Sequence, residues 1–276
     1  MTRIATRFAA LKREGRGALI PFVEAWDPDV DTSMALLRGM PAAGADLIEI
    51  GIPFTDPMAD GPIIQAAGKR GLAAGVKVAH VLQMVRDFRR DDDATPIILM
   101  GYLNPVLSYG TERFCGDAAS AGVDGLIMVD LPTEEADVLV PSARAHDIDI
   151  IRLVAPTTDD KRLPIVLEGS SGFVYYVSIT GITGTRSATS DHLAEAIPRI
   201  RAATDLPIAV GFGVRTPQQA AAASRIADAA VVASALIDTL ANHLDEHGHA
   251  KPDAVPVVLD QVRALAKGVR DTKVHA

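Results

Sequence analysis

Two carboxylates that lie close together in the sequence are the residues best suited to chemistry. Glu49 lies inside the apolar run Leu47–Gly51, and Asp60 lies in the Pro/Gly/Asp-rich loop that follows. A charge inside a buried strand is costly unless it is paired or used. An apolar environment raises the pKa of a carboxyl, which suits proton transfer near neutral pH. We therefore predict that Glu49 and Asp60 form an acid/base pair, although structural pairing of Glu49 with an arginine stays open.

A second group of residues, in the later part of the chain, predicts a phosphate site. Gly184 follows one apolar run, Phe212 and Gly213 follow the next, and Ala233 with Ser234 ends another and begins a helix. Barrel enzymes bind phosphate with backbone N–H groups of such loops and with a helix N-terminus. Each glycine motif alone is weak because glycine also serves tight turns.

Three further polar residues lie in or just after predicted strands. Tyr102 follows the third strand and Tyr175 lies in the sixth, and either could be ordinary core packing. Asp130 ends the fourth strand and could cap the loop after it.

The residues that are missing from strand ends exclude some mechanisms. No lysine ends a predicted strand, which disfavours a Schiff-base aldolase. No histidine does so either, which disfavours a metal-dependent aldolase, and His243, His247 and His249 fit a solvated helix end better than a metal site. We expect no metal.

Eight β-branched-rich runs must position these residues. They are 18–23, 46–51, 96–101, 125–130, 148–155, 172–178, 207–211 and 229–234. Segments with helical periodicity alternate with them, including 134–146. This order predicts a single α/β domain over residues 1–276, a (β/α)8 TIM barrel with an extra N-terminal helix over 2–13. A doubly wound sheet is disfavoured because no glycine follows the first strand.

Composition narrows the function classes. The net charge is −8 and no dense basic patch is present, so nucleic acid and anionic membranes are poor partners. Residues 1–16 lack a signal-peptide pattern, and no apolar run could span a bilayer. The single cysteine, Cys115, fits a cytoplasmic protein.

Together these motifs resemble the tryptophan synthase alpha chain family along nearly the whole chain. The most specific matches are Leu47–Pro62, Met100–Pro105, Val129–Pro132, Ala155–Thr158, Ser171–Ser178, Thr180–Gly184 and Gly211–Gly213. The resemblance implies a TIM barrel that cleaves indole-3-glycerol phosphate to indole and glyceraldehyde 3-phosphate by a retro-aldol reaction.

The resemblance also implies roles for individual residues. Glu49 becomes the general acid/base, Asp60 stabilises the charged indole tautomer, and Thr183 lies on a loop that closes over substrate and orients Glu49. Residues expected in the indole pocket are Phe22, Met100, Tyr102, Ile127, Val129, Leu153 and Tyr175, and those expected at the phosphate are Gly184, Phe212, Gly213, Ala233 and Ser234.

The implied partner is a beta chain that carries pyridoxal phosphate, in an alpha2beta2 tetramer, while this chain needs no cofactor of its own. The loop 53–62 and the region after the third strand are the implied contact surfaces. A stand-alone lyase, or a weakly active chain that serves to activate its partner, stays an alternative.

The chain departs from the family pattern after the first strand. Glu24 stands where the family has a small or apolar residue, and Trp26 stands where it has glycine. A smaller departure is Ala233 in place of glycine. The altered loop is tolerated drift, a change toward another base-catalysed reaction, or damage to the native activity.

Overall fold

Nine parallel strands form one sheet in the residues that the computed structural model describes, 2–177, 186–211 and 213–271 (for 186–191, the backbone only). The strands are β1 (Ala18–Glu24), β2 (Ile48–Gly51), β3 (Ile97–Gly101), β4 (Gly125–Met128), β5 (Asp149–Ile150), β6 (Arg152–Val154), β7 (Val174–Val177), β8 (Ile208–Gly211) and β9 (Ala229–Val232). The order across the sheet is β5-β4-β3-β2-β1-β9-β8-β7-β6.

The two edges of this sheet are neighbours in the sequence. Only Ile151 separates β5, which pairs with β4, from β6, which pairs with β7. The N–H of Ile151 donates to Leu126 on β4 at 3.0 Å. The fifth predicted strand is therefore two short strands, because this run changes partners at Ile151. The sheet closes nearly into a barrel, which confirms the predicted fold.

Helices surround the barrel. They are α1 (Arg3–Glu14), α2 (Val30–Ala43), α3 (Pro62–Ala73), α4 (Val78–Arg89), α5 (Leu103–Tyr109), α6 (Thr111–Ala121), α7 (Val140–Ala145), α8 (Arg162–Leu167), α9 (Arg186–Arg201), α10 (Pro217–Ile226), α11 (Ser234–Asn242) and α12 (Ala254–Arg270). No helix in this described part of the chain has the length and apolarity to cross a membrane.

The helix predicted over 134–146 is wrong. A 3-10 helix covers Thr133–Val138, and α7 begins only at Val140. Pro141 follows at the start of α7. Proline lacks an N–H and is tolerated only in the first turn of a helix, so the helix restarts there.

The N-terminal helix α1 covers one end of the barrel. Its buried residues Ile4, Phe8 and Leu11 belong to the same apolar cluster as the strand residues inside the barrel. The rings of Phe8 and Phe173 lie 5.8 Å apart. This end is therefore filled, and the loops at the carboxyl ends of the strands form the open end, as in other barrels.

Candidate active site

Glu49 is a buried carboxyl without a partner. It lies on β2 opposite Phe22 of β1 and Ile98 of β3, and the residue is only 1% exposed. Neither carboxylate oxygen has a hydrogen-bond partner within the described residues. Burial raises the pKa of Glu49 from 4.5 to about 8. The side chain can therefore hold or release a proton near neutral pH.

Tyr175 lies close to Glu49 inside the barrel. Burial raises the pKa of its hydroxyl well above the usual value, and the neighbouring Glu49 carboxylate adds to this. The hydroxyl oxygen lies where a side chain on Gly211 would be, 2.0 Å from the Cβ position. Glycine at 211 therefore leaves the space that the Tyr175 ring needs.

Asp60 lies in the loop between β2 and α3 and is half-buried. Burial raises its pKa, and a hydrogen bond from the Tyr102 hydroxyl opposes this. The same hydroxyl accepts the N–H of Ala59 at 3.0 Å, and burial raises the pKa of Tyr102 to about 12. Tyr102 thus stays neutral and holds the loop beside the carboxylate.

A cavity of about 350 Å³ opens at this end of the barrel. Asp60 lines it together with four residues predicted for the indole pocket, namely Phe22, Met100, Tyr102 and Val129. The other three lie in or against the inner core of the barrel, as Ile127, Leu153 and Tyr175. Glu49 does not line the cavity. It lies next to Phe22 in the register of β1 and β2, and Phe22 lines the cavity.

Sequence reasoning missed part of this cavity. Ile64, Gln65 and Gly68 of α3 line it, as do Ile52, Phe54 and Pro57. Positions 64, 65 and 68 share one face of α3. Proline at the first position of a helix is a start signal, so Pro62 after Gly61 could have predicted this helix from the sequence.

The predicted phosphate residues are described only in part. Ala233 precedes α11, and its carbonyl accepts the N–H groups of Leu236 and Ile237 at 3.0 and 3.2 Å. Ser234 is the first residue of this nine-residue helix, and Gly213 has a φ of 56°. The first N–H groups of a helix have no partner within it, and they suit an anion. Thr183, Gly184 and Phe212 lie outside the described residues.

Glu24 also lies at the cavity. It is 5% exposed and lines the cavity with Asp60. Burial raises its pKa well above the usual value, the carboxylates of Asp60 and Asp27 raise it further, and Arg70 opposes them. One carboxylate oxygen lies 2.2 Å from the Cβ position that Gly51 lacks.

Trp26 adopts the left-handed backbone conformation expected of a glycine at this position, with a φ of 62°. Its ring stacks on His80 of α4 with centroids 4.5 Å apart and planes 6° from parallel. The next residue, Asp27, accepts two hydrogen bonds from Arg70 of α3, at 2.5 and 2.9 Å. These contacts join the loop after β1 to α4 and α3.

Asp130 serves a neighbouring element. Its carboxylate accepts the N–H of Leu103, the first residue of α5, at 2.8 Å. It therefore caps the helix after β3, while the sequence suggested a cap of its own loop. Among the described residues, no group of three or more His, Cys, Asp or Glu side chains is placed to hold a metal ion.

Comparison with known proteins identifies the family. The family model described as tryptophan synthase alpha chain matches residues 8–266. The chain belongs to the tryptophan synthase alpha chain family. A tryptophan synthase alpha chain of Granulibacter bethesdensis is 68% identical over all of this chain and 99% of its own length. That of Acidiphilium cryptum is 69% identical over 98% of each chain.

Solved structures of the family share the fold. The tryptophan synthase alpha subunit of Legionella pneumophila superposes with a TM-score of 0.89 at 37% identity, over 98% of this chain and 99% of that one. A chain from a structure of Mycobacterium tuberculosis tryptophan synthase gives a TM-score of 0.87 at 36% identity, over 98% of each chain.

The family fixes the reaction. The chain is a carbon–carbon lyase of tryptophan biosynthesis that cleaves indole-3-glycerol phosphate. The cavity beside Glu49 and Asp60 is the candidate site for this reaction.

Proposed function

We propose that Glu49 is the general acid/base of the cleavage and that Asp60 is its electrostatic partner. The observation that carries this assignment is the Glu49 carboxyl, buried inside the barrel without a hydrogen-bond partner in the described residues and with its pKa raised to about 8. A structural role would require a cation or a donor beside it.

In the proposed reaction, a proton is added to indole C3, the carbon that carries the glycerol phosphate chain. The ring nitrogen then bears positive charge. Loss of the proton from the adjacent side-chain hydroxyl forms the aldehyde, and the electrons of the broken C–C bond return to the ring. One proton enters and one leaves, so a single carboxyl can serve both steps.

Asp60 would stabilise the positive ring through the indole N–H. Its carboxylate lies at the cavity wall and receives the hydrogen bond from Tyr102, which favours the charged form. A fixed negative charge at the place where positive charge develops stabilises the transition state of the reaction more than the bound substrate.

The substrate phosphate would bind at the start of α11. Ser234 begins this helix, Ala233 precedes it, and Gly213 follows the neighbouring strand β8. Thr183, Gly184 and Phe212 complete this part of the proposal, with Thr183 orienting Glu49. The alanine at 233 keeps its N–H group, so we expect at most weaker phosphate binding than with glycine.

The proposed partner is a tryptophan synthase beta chain that carries pyridoxal phosphate and accepts the indole, in an alpha2beta2 tetramer in the cytoplasm. Two exposed apolar side chains support a docking surface beside the cavity. Met58, in the loop 53–62, is 84% exposed, and Leu107 of α5 is 49% exposed. Pyridoxal phosphate belongs to the beta chain in this proposal, and this chain requires no cofactor.

The test is release of indole from indole-3-glycerol phosphate by the purified chain, with and without a beta chain. We expect Glu49→Gln to lower kcat by about 10²–10⁴-fold, the range of general acid–base catalysis. The matched control is Glu112→Gln on the exposed face of α6, which should keep full activity. Full activity in Glu49→Gln would rule out the assignment.

A further inference from the structure

Glu24 is an unusual side chain for the wall of an apolar cavity. Its carboxyl packs between two glycines, with one oxygen 2.2 Å from the absent Cβ of Gly51 and the other 3.6 Å from that of Gly68. The missing side chains on β2 and α3 leave the space that this carboxyl fills. It therefore lies beside Phe22, Met100 and the rest of the wall proposed to contact the indole ring.

No cation among the described residues neutralises Glu24. Arg70 of α3 acts on it as a positive charge, but both side-chain hydrogen bonds of that guanidinium go to Asp27. The loop carboxylates that act on Glu24 are Asp27 and Asp60, both of which raise its pKa. Strand β2 brings Gly51 against it and carries Glu49 two residues deeper.

Asp60 and Glu24 lie at one cavity but in different surroundings. Asp60 is half-buried and receives the Tyr102 hydroxyl, which favours its charged form. Glu24 is 5% exposed and has no such donor, so burial and the neighbouring carboxylates favour its neutral form. Two buried carboxyls that lie close together cannot both ionise cheaply, and the less well solvated one keeps the proton.

Resting on the proposed function, we propose that Glu24 is a carboxyl of the substrate-cavity wall that must carry a proton for the indole ring to bind. An indole ring that covers this wall removes water from the carboxyl. A neutral acid tolerates this loss, but an ionised and unpaired carboxylate does not. Binding of the apolar ring is therefore coupled to one proton on Glu24.

The coupling predicts how binding depends on pH. Above the pKa of Glu24 in the free protein, each pH unit should weaken binding about tenfold, because the proton must be taken up with the ligand. The substrate phosphate, whose second pKa is about 6, is already fully charged there.

The experiment measures binding of indole and of indole-3-glycerol phosphate by calorimetry between about pH 7 and about pH 10. It uses the Glu49→Gln chain, which removes the other buried carboxyl of the site, and compares it with the double variant Glu24→Gln/Glu49→Gln. We expect affinity to fall with pH in the first and to stay level in the second. Asp60→Asn in the Glu49→Gln chain should move the fall to lower pH, because loss of the negative Asp60 charge lowers the pKa of Glu24.

An equal fall in the single and the double variant would overturn the proposal. Circular dichroism at each pH checks that both chains stay folded. The outcome is independent of the assignment of Glu49, because indole itself is not cleaved. Lyase activity that persists in Glu49→Gln would contradict the proposed function while leaving the binding result for Glu24 interpretable.

Discussion

Asp46 and Asp124 lie just before β2 and β4, at the amino-terminal end of the barrel, whereas Glu24 and Glu49 lie toward the carboxyl ends of the strands. All four are at most 5% exposed. Asp124 accepts hydrogen bonds from Arg3, Arg89 and the N–H of Ile97, at 2.9, 2.7 and 2.8 Å. Glu49 accepts none among the described residues.

The difference separates stability from chemistry. At the filled end, buried carboxylates bind arginines, and these ion pairs connect the amino-terminal ends of the strands to the surrounding helices and loops, including α1. At the open end, burial raises the pKa values of Glu49 and Glu24, and neighbouring carboxylates raise that of Glu24 further. Barrels place stability at the first end and catalysis at the second, and perturbed, unpaired acids mark functional sites.

Removing a paired carboxylate at the filled end should lower the stability of the chain more than any other change proposed here. We expect Asp124→Ala to lower the free energy of unfolding by about 3–5 kcal/mol, because it leaves the Arg89 guanidinium without its carboxylate and the N–H of Ile97 without an acceptor. Denaturant unfolding measures this. The control is Asp91→Ala, whose exposed pair with Arg38 at 3.5 Å should contribute less than about 1 kcal/mol. Equal losses in the two variants would contradict the comparison.

The buried Glu49 carboxyl at the open end should make the stability of the chain depend on pH. Burial raises the pKa of Glu49 from 4.5 to about 8, so the folded chain holds a proton that the unfolded chain has released between these values. Stability therefore falls as pH rises from above 4.5 through about 8. Glu49→Gln should remove part of this fall, on the order of a few kcal/mol. An unchanged pH profile of unfolding would show that burial does not hold the proton.

The open end should also bind the partner. We expect Met58→Ser and Leu107→Ser each to weaken binding of a beta chain by about tenfold, through the loss of apolar contact area. Ile165→Ser on α8 is the matched control, since Ile165 is 45% exposed but lies outside the proposed contact surface. Titration of the labelled beta chain measures the three affinities, and equal weakening in all three would argue against this surface.

The smallest effect should follow from Trp26→Gly. Glycine relieves the left-handed backbone conformation at a φ of 62° but loses the stack on His80, and these opposite contributions are each about 1 kcal/mol. We expect a change in unfolding free energy within about 1 kcal/mol in either direction. Thermal unfolding followed by circular dichroism checks it, and a much larger loss would mean that the stack holds the loop.

Much of the fold could be predicted from local patterns. The alternation of β-branched runs with helical segments predicted the parallel barrel and its extra N-terminal helix. The pattern failed where strand boundaries depend on which neighbouring strands pair. At Ile151 one apolar run divides into two short strands, one paired with β4 and the other with β7. It failed again at Pro141, where the missing N–H divides a helical pattern.

For the candidate site, the sequence by itself determined that a carboxyl at 49 lies in an apolar strand and that Asp60, Tyr102 and Glu24 follow strands at one end of a barrel. Only the tertiary structure decided which carboxyls find partners. Asp124 meets Arg3 across 121 residues of sequence, while Glu24 lies near Asp60, and the one cation that acts on it in the described part of the chain, Arg70, is bound to Asp27. Pairing depends on distances between side chains that are remote in the sequence, and those distances exist only once the strands have closed into the barrel.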